Sequence, residues 1–131
     1  NPSTATETED DPTIRRCIGF AKTWGFGGIL MTNLAAYRAT DPAVMFKQDE
    51  PVGAENLASN FVSFLEMIEG TVVLAAWGVH GASLQDQANR FIVALRDEAG
   101  MPIVCLGLTA NDQPKHPLYV AKDTPATKFY W

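Results

Sequence analysis

Residues 71–106 read TVVLAAWGVHGASLQDQANRFIVALRDEAGMPIVCL, and their grammar decides the fold class. Thr71 to Trp77 is a short apolar run with no helical period. Leu84, Ala88, Phe91, Ile92 and Leu95 then recur at three- and four-residue steps until Gly100, and Met101 to Leu106 is a second short apolar run. Runs this short, bounded by glycine and separated by an amphipathic helix, predict strands joined by a helical crossover, and such a connection pairs them in parallel.

The same order extends toward the N-terminus. Asp11-Pro12 offers an acidic N-cap followed by proline at the first helical position. Ile14, Cys17, Ile18, Ala21 and Trp24 mark the helix face, and Gly25 ends it. Ile29 to Leu34 predicts another buried strand, Asp41-Pro42 a second cap, and Leu57, Phe61, Phe64, Leu65 and Ile68 a longer helix that stops at Gly70. An α/β unit enters its helix from a strand, so a further strand is expected upstream of Asn1. The expected fold is thus α/β: a three-layer sandwich around a mostly parallel, roughly four-stranded sheet, with residues 1–131 as one domain. The tail from Lys122 to Trp131 is read as irregular, with Phe129-Tyr130-Trp131 packing back on the body.

Composition narrows the function classes. Ten Lys and Arg against fifteen Asp and Glu give a net charge of -5, unfavourable for a protein held to polyanions by phosphate contacts alone. Nucleic acid would need a local basic patch. No apolar run approaches the roughly 18 residues of a membrane span, so no membrane partner is expected. Cys17 and Cys105 fall on a buried helix face and a buried strand, which predicts reduced core thiols and a cytoplasmic location.

Polar residues converge on one rim. Ligands of open parallel sheets bind outside the carboxyl ends of the strands. The loops at those ends carry Asn1-Pro2-Ser3-Thr4, then Asn33 and Tyr37-Arg38-Ala39-Thr40-Asp41, then Gly78-Val79-His80-Gly81, then Thr109 to Tyr119. The opposite turns, Gly25 to Gly28, Glu69-Gly70 and Gly100 to Pro102, are mostly glycine, proline and apolar residues. Each rim residue has an ordinary alternative. His116, before proline and biased toward extended backbone, can donate a hydrogen bond to a developing negative charge or simply face water. His80 can touch substrate or cap the next helix. Arg38 can clamp a carboxylate or phosphate, or pair with Asp41 or Asp11. Asn1 can position a water or serve as turn chemistry. Tyr37 and Tyr119 can stack on a ring, and Ser3 and Asn33 add a hydroxyl and an amide. Gly25-Phe26-Gly27-Gly28 precedes a strand and cannot cradle phosphate at a helix N-terminus. The two histidines and two cysteines lack zinc spacing, and Ser3 and Ser83 lack a nucleophile elbow. Neither metal nor cofactor is expected.

The run NPSTATETEDDPTIRRCIGFAKTWGFGGILMTNLAAYRATDP at 1–42, with AAWGVHG at 75–81, CLGLT at 105–109 and HPLY at 116–119, resembles an uncharacterised bacterial and phage family, domain-of-unknown-function family 1643, over essentially the whole chain. Members look to have a strand before the NPST motif. At greater distance the layout is similar to the uracil-DNA glycosylase superfamily, with an Asn-Pro motif after the first strand and a His-Pro motif after the fourth. That resemblance implies that Asn1 holds an attacking water and that His116 stabilises a departing base anion. The chain departs from it where Leu118-Tyr119 follows Pro117 directly, leaving no wedge for base flipping, and in its acidic net charge. The resemblance therefore implies a base- or nucleotide-sized pocket more than duplex repair.

Two functional classes follow. One is a glycosylase-like hydrolase of an N-glycosidic bond, acting on a small-molecule base or nucleotide or on single-stranded nucleic acid, with Asn1 and His116 catalytic and Ser3, Asn33, Tyr37, Arg38, His80 and Tyr119 binding substrate. The alternative is a non-catalytic nucleotide- or protein-binding module. A homo-oligomer would satisfy the strand edges and apolar surface expected of a chain starting at Asn1.

Overall fold

The computed structural model describes residues 11–34 and 69–130. Helix α1 spans Pro12–Thr23, and both of its ends follow from local chemistry. Asp11, in extended conformation, accepts through Oδ1 from the Ile14 backbone N–H at 2.8 Å, satisfying one of the donors that a first turn leaves over. At the other end the Gly25 N–H donates to the Lys22 carbonyl (3.2 Å) and the Phe26 N–H to the Ala21 carbonyl (2.9 Å). These two bonds form a Schellman closure, which needs the left-handed backbone that Gly25 adopts at φ 82°. Cys17, Phe20 and Ala21 are buried, and the Phe20 and Trp24 rings stack at 5.3 Å between centroids. Asp11→Ala should cost about 1 kcal/mol, the usual value of a lost N-cap, read as a lower denaturant midpoint with an unchanged slope.

The crossover unit forms as the periodicity predicts. Strand β1 (Val73–Ala75) pairs in parallel with β2 (Ile103–Cys105) in the register Val73 to Ile103, Leu74 to Val104 and Ala75 to Cys105. Between them a 3₁₀ turn, Val79–Leu84, leads into helix α2 (Gln85–Val93), which widens into a π-helical turn over Ala94–Glu98. Strand residues alternate between faces, so Val73, Ala75, Ile103 and Cys105 point to one side. There they form the core with Phe91, Ile92, Leu95 and Phe129, and Trp77 and Met101 pack against its margin. Leu95 is fully buried, worth about 2–3 kcal/mol of apolar burial.

Two expectations are corrected, the irregular tail and the strand at Ile29 to Leu34. The sheet among the described residues has three strands in the order β1-β2-β3 and is mixed, because β3 (Thr127–Lys128) runs antiparallel to β2, with Cys105 opposite Thr127. The tail is thus not wholly irregular. Its Phe129 N–H donates to the Ile103 carbonyl (2.9 Å) and its ring enters the core, whereas Tyr130 is exposed. Ile29 to Leu34 forms no strand, and Ile29, Leu30 and Met31 are exposed rather than covered on both faces. Its mixture of Leu, Met and Asn with one Ile and one Thr carries little strand preference beyond its hydrophobicity. Helix α2 covers the core face of the sheet, while α1 packs on the Pro117–Tyr119 turn. The arrangement is α/β, helices with a small mixed three-stranded sheet among the described residues. The expected strand before Asn1, the Asp41-Pro42 cap and the Leu57 to Ile68 helix lie outside the described residues.

Cys17 and Cys105 are both free and buried, as expected of core thiols, and burial pushes the Cys17 thiol up with the Asp11 carboxylate adding to the rise. Among the described residues, no helix is long and apolar enough to cross a membrane.

Candidate functional site

The site is built where β1 and β2 end. After β2, Gly107 turns at φ 92° and the chain forms a small hairpin. Leu108 bridges Pro114, the Thr109 N–H donates to the Gln113 carbonyl (2.8 Å), and the Asp112 N–H donates to the Thr109 carbonyl (3.1 Å). The three-residue tip Ala110-Asn111-Asp112 closes with Asp112 in the left-handed region at φ 56°, as such hairpin loops require. The Lys115 N–H returns to the Gly107 carbonyl (2.9 Å), and the chain emerges at His116.

The hairpin is docked onto the end of β1 by Gly78. Its N–H donates to the Pro114 carbonyl (2.9 Å), and a Cβ built on it would stand 3.1 Å from the His116 Cβ. With φ at 75°, Gly78 takes a backbone that side-chain-bearing residues avoid. The rim therefore brings the His116 backbone directly against the start of the His80 loop.

His116 is half-buried and extended, and it opens the 3₁₀ turn Pro117–Tyr119. Its Nδ1 accepts from the Leu118 backbone N–H at 3.3 Å. A ring nitrogen that accepts carries no proton, so the neutral imidazole is the tautomer with hydrogen on Nε2, a donor with no acceptor role of its own. Burial holds the His116 pKa below the usual histidine value. The nearby His80 pushes the same way and Asp11 opposes. Protonation would also put a hydrogen where Leu118 now donates. Because the folded state disfavours the imidazolium, the stabilisation from neutral His116 is complete above the ordinary histidine value and is lost as pH falls through that value toward the folded one. A ¹H–¹⁵N titration should give a His116 midpoint below about 6.5, the unperturbed value, with Nδ1 as the unprotonated nitrogen above it.

Around this imidazole, the Tyr119 ring lies 5.7 Å away, tilted by 49°, with 84 % of the residue exposed. Leu118 and Val79 are exposed as well. His80 sits exposed on the Val79–Leu84 turn. On the inner side the Pro117–Tyr119 turn packs on α1, and the Arg16 guanidinium donates to the Val120 carbonyl at 3.2 Å. Helix α1, reached from the other end of the chain, is thus the support beneath the His-Pro loop.

Of the residues expected on the rim, His116 and Tyr119 are in ring contact, and His80 lies on the turn capped by Gly78, which stands against His116. Asn33 is half-buried near the end of Ile29 to Leu34. Asn1, Ser3, Tyr37 and Arg38 lie outside the described residues. Among the described residues, no group of three or more His, Cys, Asp or Glu is placed to hold a metal ion.

One set of residues has no signal in the periodicity. Gln113 is only 5 % exposed, and its side-chain amide accepts from the Trp77 indole N–H (2.9 Å) and donates to Gln85 Oε1 (3.1 Å). Gln85 in turn donates to Asn89 Oδ1 (3.1 Å). The hint available in sequence is Trp77 itself, since a tryptophan at the end of a buried strand needs an acceptor for its indole N–H.

No curated protein and no solved structure matches the chain. A family model described as a protein of unknown function, DUF1643, matches residues 1–118, which include β1, β2 and the loop carrying His116. The chain, with the two rim histidines among the residues so matched, belongs to the DUF1643 family.

Proposed function

We propose that the protein is a hydrolase of an N-glycosidic bond, acting on a base or nucleotide, free or in single-stranded nucleic acid, at the carboxyl-end rim of its sheet. The observation that carries this reading is the state of His116: a half-buried imidazole held below the usual histidine pKa, whose Nδ1 is engaged by the Leu118 N–H, leaving Nε2–H as its donor. A fixed donor of this kind is suited to a base leaving with the electron pair of its bond to the sugar. In the proposed reaction the C–N bond breaks toward the base, whose developing anionic oxygen receives the Nε2–H hydrogen bond. A water oriented by the Asn1 side chain adds to the sugar carbon, and the proton that water sheds ends on the base.

The exposed ring of Tyr119 is available to stack on the base. Ser3, Asn33, Tyr37, Arg38 and His80 complete the proposed substrate contacts, with Arg38 directed to a phosphate or carboxylate. The acidic net charge and the absence of a wedge after Pro117 favour a free or single-stranded substrate over duplex DNA.

The test is a panel of modified nucleosides, nucleotides and single-stranded oligonucleotides, assayed chromatographically for free base. Release of base from at least one of them is expected. Saturable binding across the panel with no release from folded protein would overturn hydrolysis and favour a non-catalytic binding module.

A further inference from the structure

Among the described residues, Gln113 is the one polar side chain that is buried. An indole nitrogen can only donate, so Trp77 Nε1–H fixes the Gln113 oxygen toward itself and the amide nitrogen toward Gln85. The direction then propagates: Gln85 must accept with Oε1 and donate with Nε2 to Asn89 Oδ1. The amide nitrogen of Gln113 makes a longer contact to the Asn111 carbonyl (3.4 Å), and its backbone N–H donates to Thr109 Oγ1 (3.2 Å).

The two partners of that amide occupy telling places. Trp77 precedes the Val79–Leu84 turn and Gln85 follows it, so one side chain clips both ends of the segment that carries His80. The backbone of Gln113 belongs to the hairpin that delivers His116, and Pro114, next in the chain, receives the Gly78 N–H. We propose that Gln113 is a positioning residue: its buried amide holds the His80 turn and the His116 loop in one register, and so sets where the His116 imidazole stands.

This inference rests on the reading of His116 as the rim's working group, but its measurement does not depend on turnover. Gln113 itself is not replaceable at will. An apolar residue at 113 leaves the partly buried Trp77 N–H and Gln85 oxygen without this partner, and a carboxylate there cannot donate to Gln85.

The experiment compares the ¹⁵N signals of the His116 ring in the parent protein with those in Gln113→Leu, Trp77→Phe, Gln85→Leu and Gln85→Glu. Trp77→Phe keeps an aromatic ring beside Phe129 but removes the donor together with part of the indole's bulk, so the Gln85 pair is the comparison that isolates the hydrogen bond. Gln85→Glu keeps the acceptor for the Gln113 amide, whereas Gln85→Leu removes it. The expected result is that Gln113→Leu, Trp77→Phe and Gln85→Leu each move the His116 Nδ1 and Nε2 signals toward the averaged values of a mobile imidazole exchanging tautomers. Gln85→Glu should keep the parent pattern. If Gln113→Leu does not fold, the Trp77 and Gln85 variants decide alone. His116 signals unchanged in folded Trp77→Phe and Gln85→Leu overturn the positioning role. The same holds if Gln85→Glu perturbs them as much as Gln85→Leu. Absence of base release in every protein would count against hydrolysis while leaving this spectroscopic result standing.

Discussion

His116→Ala should lower turnover of a base-releasing substrate by about 10²–10³-fold, the usual loss when one directed donor to a developing anion is removed. The fall should appear in kcat with KM little changed, because the Nε2–H bond strengthens only as negative charge grows on the leaving base. The substitution should leave the fold intact. His116 is only half-buried, and the loop is tied down by backbone bonds that survive the change, including Gly78 to Pro114 and Lys115 to Gly107. Circular dichroism and a thermal melt on the same preparation separate lost chemistry from lost structure. A folded His116→Ala protein that releases base at the parent rate would remove His116 from the reaction and leave the rim as a binding surface.

Gly81→Ala should produce the largest loss of stability of any Gly→Ala change among the described residues. A Cβ at this position would overlap Trp77 Cδ1 and lie 2.6 Å from Trp77 Nε1, closer than a real Cβ stands to any neighbour. The indole cannot move aside freely, since its N–H is bonded to Gln113 and its ring meets Phe129 edge-on at 5.9 Å. Overpacking of this kind costs about 1–3 kcal/mol, and a buried amide left without its donor adds about 1–3 kcal/mol more. Alanine's better helical propensity returns less than about 1 kcal/mol. A net loss near 3 kcal/mol lowers Tm by roughly 10 °C in a chain of this size. The cause can be isolated with a double-mutant cycle: in a Trp77→Ala background, Gly81→Ala should cost nothing or stabilise slightly. An equal cost in both backgrounds would place the strain elsewhere.

The elements differ in how far the sequence discloses them, and the differences have physical causes. Helix α1 is legible at both ends because its cap and stop are made by neighbours in the chain, Asp11 by its bond to Ile14 and Gly25 by its left-handed turn. The α2 face is legible because Ala88, Phe91, Ile92 and Leu95 bury a stripe that repeats at the helix period. Strand β3 is not, since Thr127 and Lys128 are exposed and carry no alternating pattern; only the partner β2 makes them a strand. Ile29 to Leu34 shows the converse, an apolar run whose hydrophobicity states a preference for burial without supplying a ladder.

For the site, sequence order alone places His80 and His116 on loops that follow β1 and β2, and parallel pairing of those strands puts both loops at one edge. The residue types at that edge, and hence the chemistry proposed for it, are therefore written in the chain. Which nitrogen of His116 carries the proton is set locally, by the Leu118 N–H two residues on, but how close Gly78 comes to His116 and the clasp of Trp77, Gln113 and Gln85 are decided only by tertiary structure. These properties depend on atoms far apart in sequence meeting within hydrogen-bond distance. A hydrophobic period reports which face is buried, but it carries no record of the partner that a buried amide will find there.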